Sequence, residues 1–206
     1  EELSKRIASL CDVYVMDAFG ASHRKHASTY GAIKFSNKAC AGPLLSSEIK
    51  SLKKAMSAPE KPLVAIIGGA KVSSKLGVIE SLANSCDSII VGGGIANTFL
   101  LANGNSVGNS LIETEMIEAA KRILKLDQVY IPLPTDVVVA KEFSNEATAL
   151  TKSMDQVEED DLILDIGPET TNAYNELIAS ARTIIWNGPV GVFEIEQFSQ
   201  GTAEIA

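Results

Sequence analysis

The 206-residue chain lacks any apolar run approaching the roughly 18 residues of a membrane-spanning helix. It also lacks a signal-peptide pattern: Glu1-Glu2-Leu3 already reads as mid-domain sequence. Cysteine is scarce, and Cys11, Cys40 and Cys86 are widely spaced and odd in number. They read as reduced thiols rather than a disulfide framework or a zinc site. A cytoplasmic protein with no membrane partner is the expectation. Basic residues are outnumbered, 18 against 26 acidic, for a net charge of -8. That balance argues against a general nucleic-acid surface, but a local basic site can still sit on an acidic protein. Two phosphate-binding orders are missing as well: the chain has neither Gly-x-x-x-x-Gly-Lys-Ser/Thr nor Gly-x-Gly-x-x-Gly. No internal repeat or low-complexity segment interrupts it.

What is present is an alternation. An apolar fraction of 46% allows a sizeable core. Leu3, Ile7 and Leu10 predict a first helix, and Val13 to Met16 a short strand. Residues 31 to 43 show no period and read as a loop. Leu45, Ile49, Leu52 and Met56 predict an amphipathic helix, ended by Pro59 and Pro62. From Leu63 onward strands and helices alternate. Strands are expected at 63–67, 88–91, 129–132, 136–140, 162–166 and 183–186. Helices are expected after Gly69, from Ile95 to a glycine end near Gly104, over 113–126, after Pro168 and from Gln197. Asp155 to Asp161 reads as an exposed acidic stretch. This alternation implies an α/β fold with a doubly wound, mostly parallel sheet, Rossmann-like and three-layered.

The chemistry gathers at strand ends, where such sheets bind ligands. Leu63 to Lys75 reads as a buried strand, a Gly68-Gly69 turn and a helix start. On that reading Lys71 and Lys75 share one helical face and the helix N-terminus makes an anion seat. Gly92-Gly93-Gly94, Gly167-Pro168 and Asn187 to Gly191 close other strands. Glycines admit close backbone contact, lysines offset phosphate charge, and Glu194 could bind ribose hydroxyls. Together these point to a nucleotide. Trp186, ending an apolar strand, reads as core. Both histidines, His23 and His26, flank Arg24 and Lys25 in one loop. That loop reads as a cationic cluster or a solvated turn, and a zinc site has no third ligand at a recognised spacing.

Five segments carry a family resemblance. They are Asp17-Ala18-Phe19-Gly20 with His23-Arg24, Gly68 to Lys75, Gly92 to Ala96, Leu164 to Pro168, and Trp186 to Glu194. In order and spacing they resemble the phosphoglycerate kinases, over essentially the whole chain. Met16 stands where that family more often has Asn, and Ser74 where Asp is common.

The resemblance implies reversible phosphoryl transfer between 1,3-bisphosphoglycerate and ADP, giving 3-phosphoglycerate and ATP, with Mg2+. It implies Lys71 as the catalytic group beside the moving phosphoryl, and His23 and Arg24 on the phosphoglycerate. Gly69, Lys75, Gly92, Gly93, Leu164, Asn187, Pro189 and Glu194 would bind the nucleotide, with no metal ligand in this chain. It further implies a two-lobed kinase, a monomer, with both lobes incomplete here. Residues 1–44 would end the phosphoglycerate-binding lobe, 45–60 would be the interdomain helix and linker, and 61–206 most of the nucleotide-binding lobe. Such an internal portion is expected not to turn over by itself. The alternatives are a dinucleotide-binding oxidoreductase domain, for which the fingerprint is missing, and a non-catalytic nucleotide-binding fragment.

Overall fold

The structure is a computed structural model that describes residues 1–206, the side chain of Ala55 excepted. It divides into two compact units, Glu1–Ala58 and Pro59–Ala206.

The first unit contains α1 (Glu2–Ala8), β1 (Tyr14–Met16), α2 (Ala32–Phe35), β2 (Ala39–Ala41) and α3 (Pro43–Ser57). The segment 31–43, expected as a loop, instead holds α2 and β2. Elements of three or four residues are too short to show a period, so the pattern was silent there. β2 pairs in parallel with β1, Val15 opposite Cys40. Proline stands at the first position of α3, where its missing N–H costs nothing. The Asp17 carboxylate accepts the Leu45 N–H at 2.8 Å, which ties the exit of β1 to the start of that helix.

The second unit contains β3 (Leu63–Ile67), α4 (Leu76–Ala83), β4 (Ser88–Val91), α5 (Gly93–Ala102) and α6 (Ile117–Leu124). β5 (Asp136–Ala140), β6 (Leu150–Ser153), β7 (Leu162–Ile166), α7 (Pro168–Ser180), β8 (Thr183–Asn187) and α8 (Gln200–Glu204) follow. The first sheet is parallel throughout, in the order β4-β3-β8. All five residues of β3 are buried, which explains its unbroken apolar run. Leu63, Ala65 and Ile67 pack with Ile79, Ile95 and Phe99 on one face. Val64 and Ile66 pack with Tyr174 and Ile205 on the other. Helices therefore cover both faces. Each buried aliphatic side chain stabilises the unit by about 1.5–3 kcal/mol.

Several expectations are corrected. Residues 136–140 and 162–166 do not extend the parallel sheet. They form a second sheet, β6-β5-β7, antiparallel throughout. An apolar run signals burial but carries no strand direction. Residues 129–132 supply one isolated parallel bridge, Ser88 to Tyr130, rather than a strand. The helix expected after Gly69 starts only at Leu76. The helix expected from Glu113 starts at Ile117, after a 3₁₀ turn over Thr114–Met116. The last helix starts at Gln200 rather than Gln197. Trp186 is 38% exposed rather than core; it lies on β8, one of the two end strands of the β4-β3-β8 sheet.

Asp161 also departs from the exposed acidic stretch assigned to it. Its side chain is 0% exposed, with Lys152 Nζ at 2.7 Å and Lys141 Nζ at 2.9 Å. Burial raises its pKa. The hydrogen bonds from Lys152, the Glu158 N–H and Lys141 more than offset this, so the net displacement is downward.

No helix among the described residues is long and apolar enough to cross a membrane.

Candidate functional site

The turns after β3, β4 and β8 meet at the carboxyl edge of the parallel sheet. The Gly68 N–H donates to Asn187 O at 2.9 Å, the Gly93 N–H to Val190 O at 2.7 Å, and the Ile95 N–H to Gly69 O at 3.1 Å. These contacts sort the glycines by purpose. A Cβ on Gly68 would lie 1.8 Å from Pro189 O, and one on Gly94 2.4 Å from Ala70 O. Gly92 is buried against Val190. Glycine at these three positions lets one turn pack on another. Gly69 differs: its φ is +130°, and a Cβ there would meet nothing within 4 Å. Its bare backbone opens on a cleft.

That cleft has a volume of about 670 Å³, within the usual range for small-molecule sites. It is lined by Gly69, Ala70, Gly93 and Gly94 and by the apolar side chains of Leu111, Leu162, Leu164, Val192, Phe193 and Phe143. Its polar side chains are Asn97, Asn109 and Glu194. Of the residues assigned to the nucleotide, Gly69, Gly93, Leu164, Pro189 and Glu194 line the cleft, and Glu194 is exposed. Gly92 does not reach it. Lys75 and Asn187 stand outside the lining but touch each other, the ammonium donating to the Asn187 side-chain oxygen.

Lys71 follows Ala70 directly out of the cleft and is exposed. The two lysines do not share a helical face, since both precede α4. They belong to a loop held by Val72, which is fully buried, and by Glu113. Glu113 accepts the Ser73 N–H at 2.8 Å and the Ser73 hydroxyl at 2.5 Å. The Ser73 hydroxyl bond is the main cause holding the Glu113 carboxyl below its ordinary range. The Glu113 N–H in turn donates to Thr98 Oγ1 at 3.1 Å, and the Thr98 hydroxyl donates to Gly94 O at 3.0 Å. The lysine loop is thus coupled to the first turn of α5.

Sequence reasoning missed Glu113, Asn97 and Phe143. Glu113 reads as a first-turn helix acid, and its partner lies 40 residues away. Asn97 sits inside an otherwise apolar helical pattern, which was the available signal.

In the first unit His23 and Arg24 are exposed in a tight loop. The Arg24 N–H donates to Ala21 O at 3.0 Å, the His26 N–H to Arg24 O at 2.9 Å, and the Thr29 hydroxyl to Arg24 O. The loop backbone is therefore fixed, while both side chains face solvent.

Among the described residues, the one carboxylate cluster close enough to hold a divalent cation does not fit one. Glu158, Asp160 and Asp161 bring carboxylate oxygens within 4.8 Å of one another. Lys141 lies 2.5–2.9 Å from all three, and Lys152 lies 2.7–3.0 Å from Glu158 and Asp161. Two ammonium groups already occupy the position a hard cation would take.

Glycine turns at the carboxyl edge of a parallel sheet, opening on an apolar cleft with lysines beside it, define an α/β ligand-binding protein. The phosphoglycerate kinase family pattern matches residues 1–206, and the chain belongs to that family. Two solved structures are similar to it. Phosphoglycerate kinase from Coxiella burnetii is 52% identical, with a TM-score of 0.84; the match covers 99% of this chain and 53% of that one. Phosphoglycerate kinase from Pyrococcus horikoshii OT3 is 29% identical, with a TM-score of 0.83; that match covers 99% of this chain and 54% of the other. The chain thus spans about half the length of these solved relatives.

Proposed function

We propose that the chain provides the nucleotide-handling half of an enzyme that transfers a phosphoryl group reversibly between 1,3-bisphosphoglycerate and ADP. The products are 3-phosphoglycerate and ATP. The observation that carries this reading is the cleft of about 670 Å³, lined by glycines, by apolar side chains and by one carboxylate, Glu194. An apolar, glycine-lined cleft suits a purine, and a carboxylate suits ribose hydroxyls. Lys75, fixed by Asn187, would meet the nucleotide phosphates. Lys71 would stand beside the phosphoryl group in transit. Phosphoryl transfer asks little covalent chemistry of a protein; positioning and charge stabilisation carry it. A lysine supplies the stabilisation without giving up its proton.

His23 and Arg24 of the first unit would hold the phosphoglycerate. On this assignment residues 1–44 end the phosphoglycerate-binding lobe, 45–60 form the connector and 61–206 belong to the nucleotide-binding lobe. Magnesium would arrive with the nucleotide, ligated by its phosphates, since the carboxylate cluster at 158–161 is taken by lysines. We read the protein as a cytoplasmic monomer. The oxidoreductase alternative is set aside by the family match.

Thermal unfolding tests the reading. ADP with magnesium at a hundred times its dissociation constant should stabilise the chain by about 2.7 kcal/mol. NAD at the same concentration should leave the transition where it was. Equal protection by both, or none by ADP, would refute it.

A further inference from the structure

α5 holds the loop that carries Lys71 and Lys75 at two separate places. At the start of the loop, the Ile95 N–H donates to Gly69 O at 3.1 Å. Gly94 packs so closely there that a Cβ on it would lie 2.4 Å from Ala70 O. This first hold fixes the glycine turn that lines the cleft. The second hold is made by Glu113. One of its carboxylate oxygens accepts the Ser73 N–H and the other accepts the Ser73 hydroxyl. Glu113 is itself tied back to α5: its N–H donates to the Thr98 hydroxyl oxygen, and that fully buried hydroxyl donates to Gly94 O. Ser73 stands midway between the two lysines in the chain. The bonds from the Lys75 N–H to Val72 O and from the Ser74 hydroxyl to Lys71 O stay inside the loop and fix it to nothing else. The Glu113 carboxylate grips the loop without pairing with either ammonium. Among the described residues, Lys71 and Lys75 take part in no ion pair. A carboxylate bound to Lys71 would offset the charge that a phosphate needs; here both oxygens are occupied by Ser73.

We propose that Glu113 is a positioning residue for the phosphate end of the site, acting through Ser73 to present Lys71 and Lys75 with their charges unpaired. The proposal rests on the nucleotide reading above and goes beyond it, since Glu113 stands outside the cleft lining. Because the two holds are separate, they act on different parts of the ligand. The hold at Gly69 and Gly94 keeps the cleft that receives the nucleoside. The hold at Ser73 keeps the lysines that receive the phosphates. Without Glu113, the loop around Ser73 has to be ordered again each time phosphates bind. Fixing the backbone of about one residue weakens binding by about tenfold. That loss falls on the phosphates and spares the nucleoside.

Isothermal titration of the full chain with ADP and magnesium, and separately with adenosine, tests this. The ratio of the two affinities reads the contribution of the phosphates. In Glu113→Ala the ratio should fall about tenfold, with adenosine bound as by the native chain. Glu113→Gln keeps the shape, an oxygen for the Ser73 N–H and an amide that can donate to the Ser73 hydroxyl, so it should restore most of the ratio. An unchanged ratio in Glu113→Ala, an equal loss of both affinities, or a Gln variant as impaired as the Ala variant would overturn the proposal. If Glu113→Ala does not fold, Ser73→Ala decides. It removes only the hydroxyl bond, at an exposed position. The ratio should then fall about threefold, and no change would overturn the proposal. If the native chain binds ADP no more tightly than adenosine, or binds neither, the nucleotide reading falls and takes this inference with it. If the native chain prefers ADP and Glu113→Ala prefers it equally, only the role of Glu113 falls.

Discussion

Asp165 should make the chain more stable as the pH drops from 7 to 5. It is 2% exposed, at the end of β7 beside Leu164 of the cleft wall. Burial pushes its carboxyl from the ordinary 3.8 up to about 6. The N–H groups of Gly201 and Ile166, at 2.8 and 2.9 Å, oppose this in part, and the Glu204 carboxylate adds to it. A carboxyl with a raised folded pKa favours the folded state most below 3.8, and that contribution disappears as the pH rises through about 6. The whole interval corresponds to about 3 kcal/mol, of which about 1.3 kcal/mol is recovered between pH 7 and pH 5.

The carboxyls held below their ordinary values, such as Glu113, Glu158, Asp160 and Asp161, work in the opposite sense. Their stabilising contribution is lost only as the pH falls below about 4.5, outside this window. Urea unfolding at the two pH values, on the native chain and on Asp165→Asn, isolates the effect. With a slope near 2 kcal/mol per molar urea, the native midpoint should move up by about 0.6 M relative to the variant. Parallel pH responses in the two proteins would show that Asp165 is not the group that titrates.

Three further substitutions probe the packing of the second unit. Gly68→Ala forces a Cβ to within 1.8 Å of Pro189 O; a loss of about 3 kcal/mol is expected, read by urea unfolding. Asp136→Ala removes the carboxylate that accepts the Thr170 N–H at 2.7 Å and the Glu169 N–H at 3.0 Å at the start of α7. Its expected cost of about 2 kcal/mol should be accompanied by faster amide exchange at Glu169 and Thr170. Lys152→Met leaves the buried Asp161 with Lys141 and the Glu158 N–H. Because Lys152 is partly solvated, the loss of stability should be smaller than for a fully buried pair, and the gap to the native protein, read by urea unfolding, should narrow under acid as Asp161 protonates.

The expectations that survived and those that failed differ in a physical way. β3 was readable because burial on both faces demands an unbroken apolar run, and α5 because its apolar period closes at a glycine. Lys71 and Lys75 were expected on a shared helix, but α4 starts only at Leu76, after both. What holds their loop is Glu113, and a pairing over 40 residues leaves no local trace. The glycine turns were read as openings for a ligand. Gly69 has that open space, whereas Gly68, Gly92 and Gly94 are glycine because neighbouring turns press on them. Trp186 was assigned to the core by its strand, yet it is 38% exposed, because what covers a strand is decided by packing between segments distant in the chain.

The sequence by itself determined the α/β class, the order of the strand-end turns and the family, because these depend on burial period and on residue types at near-fixed spacing. Only the tertiary structure decided strand direction in the second sheet, the partners of the lysine loop, and the burial of Asp161 and Asp165. Each of these depends on groups distant in the chain meeting within a few ångströms, and a hydrogen bond or a buried charge is defined by that meeting rather than by the residue alone.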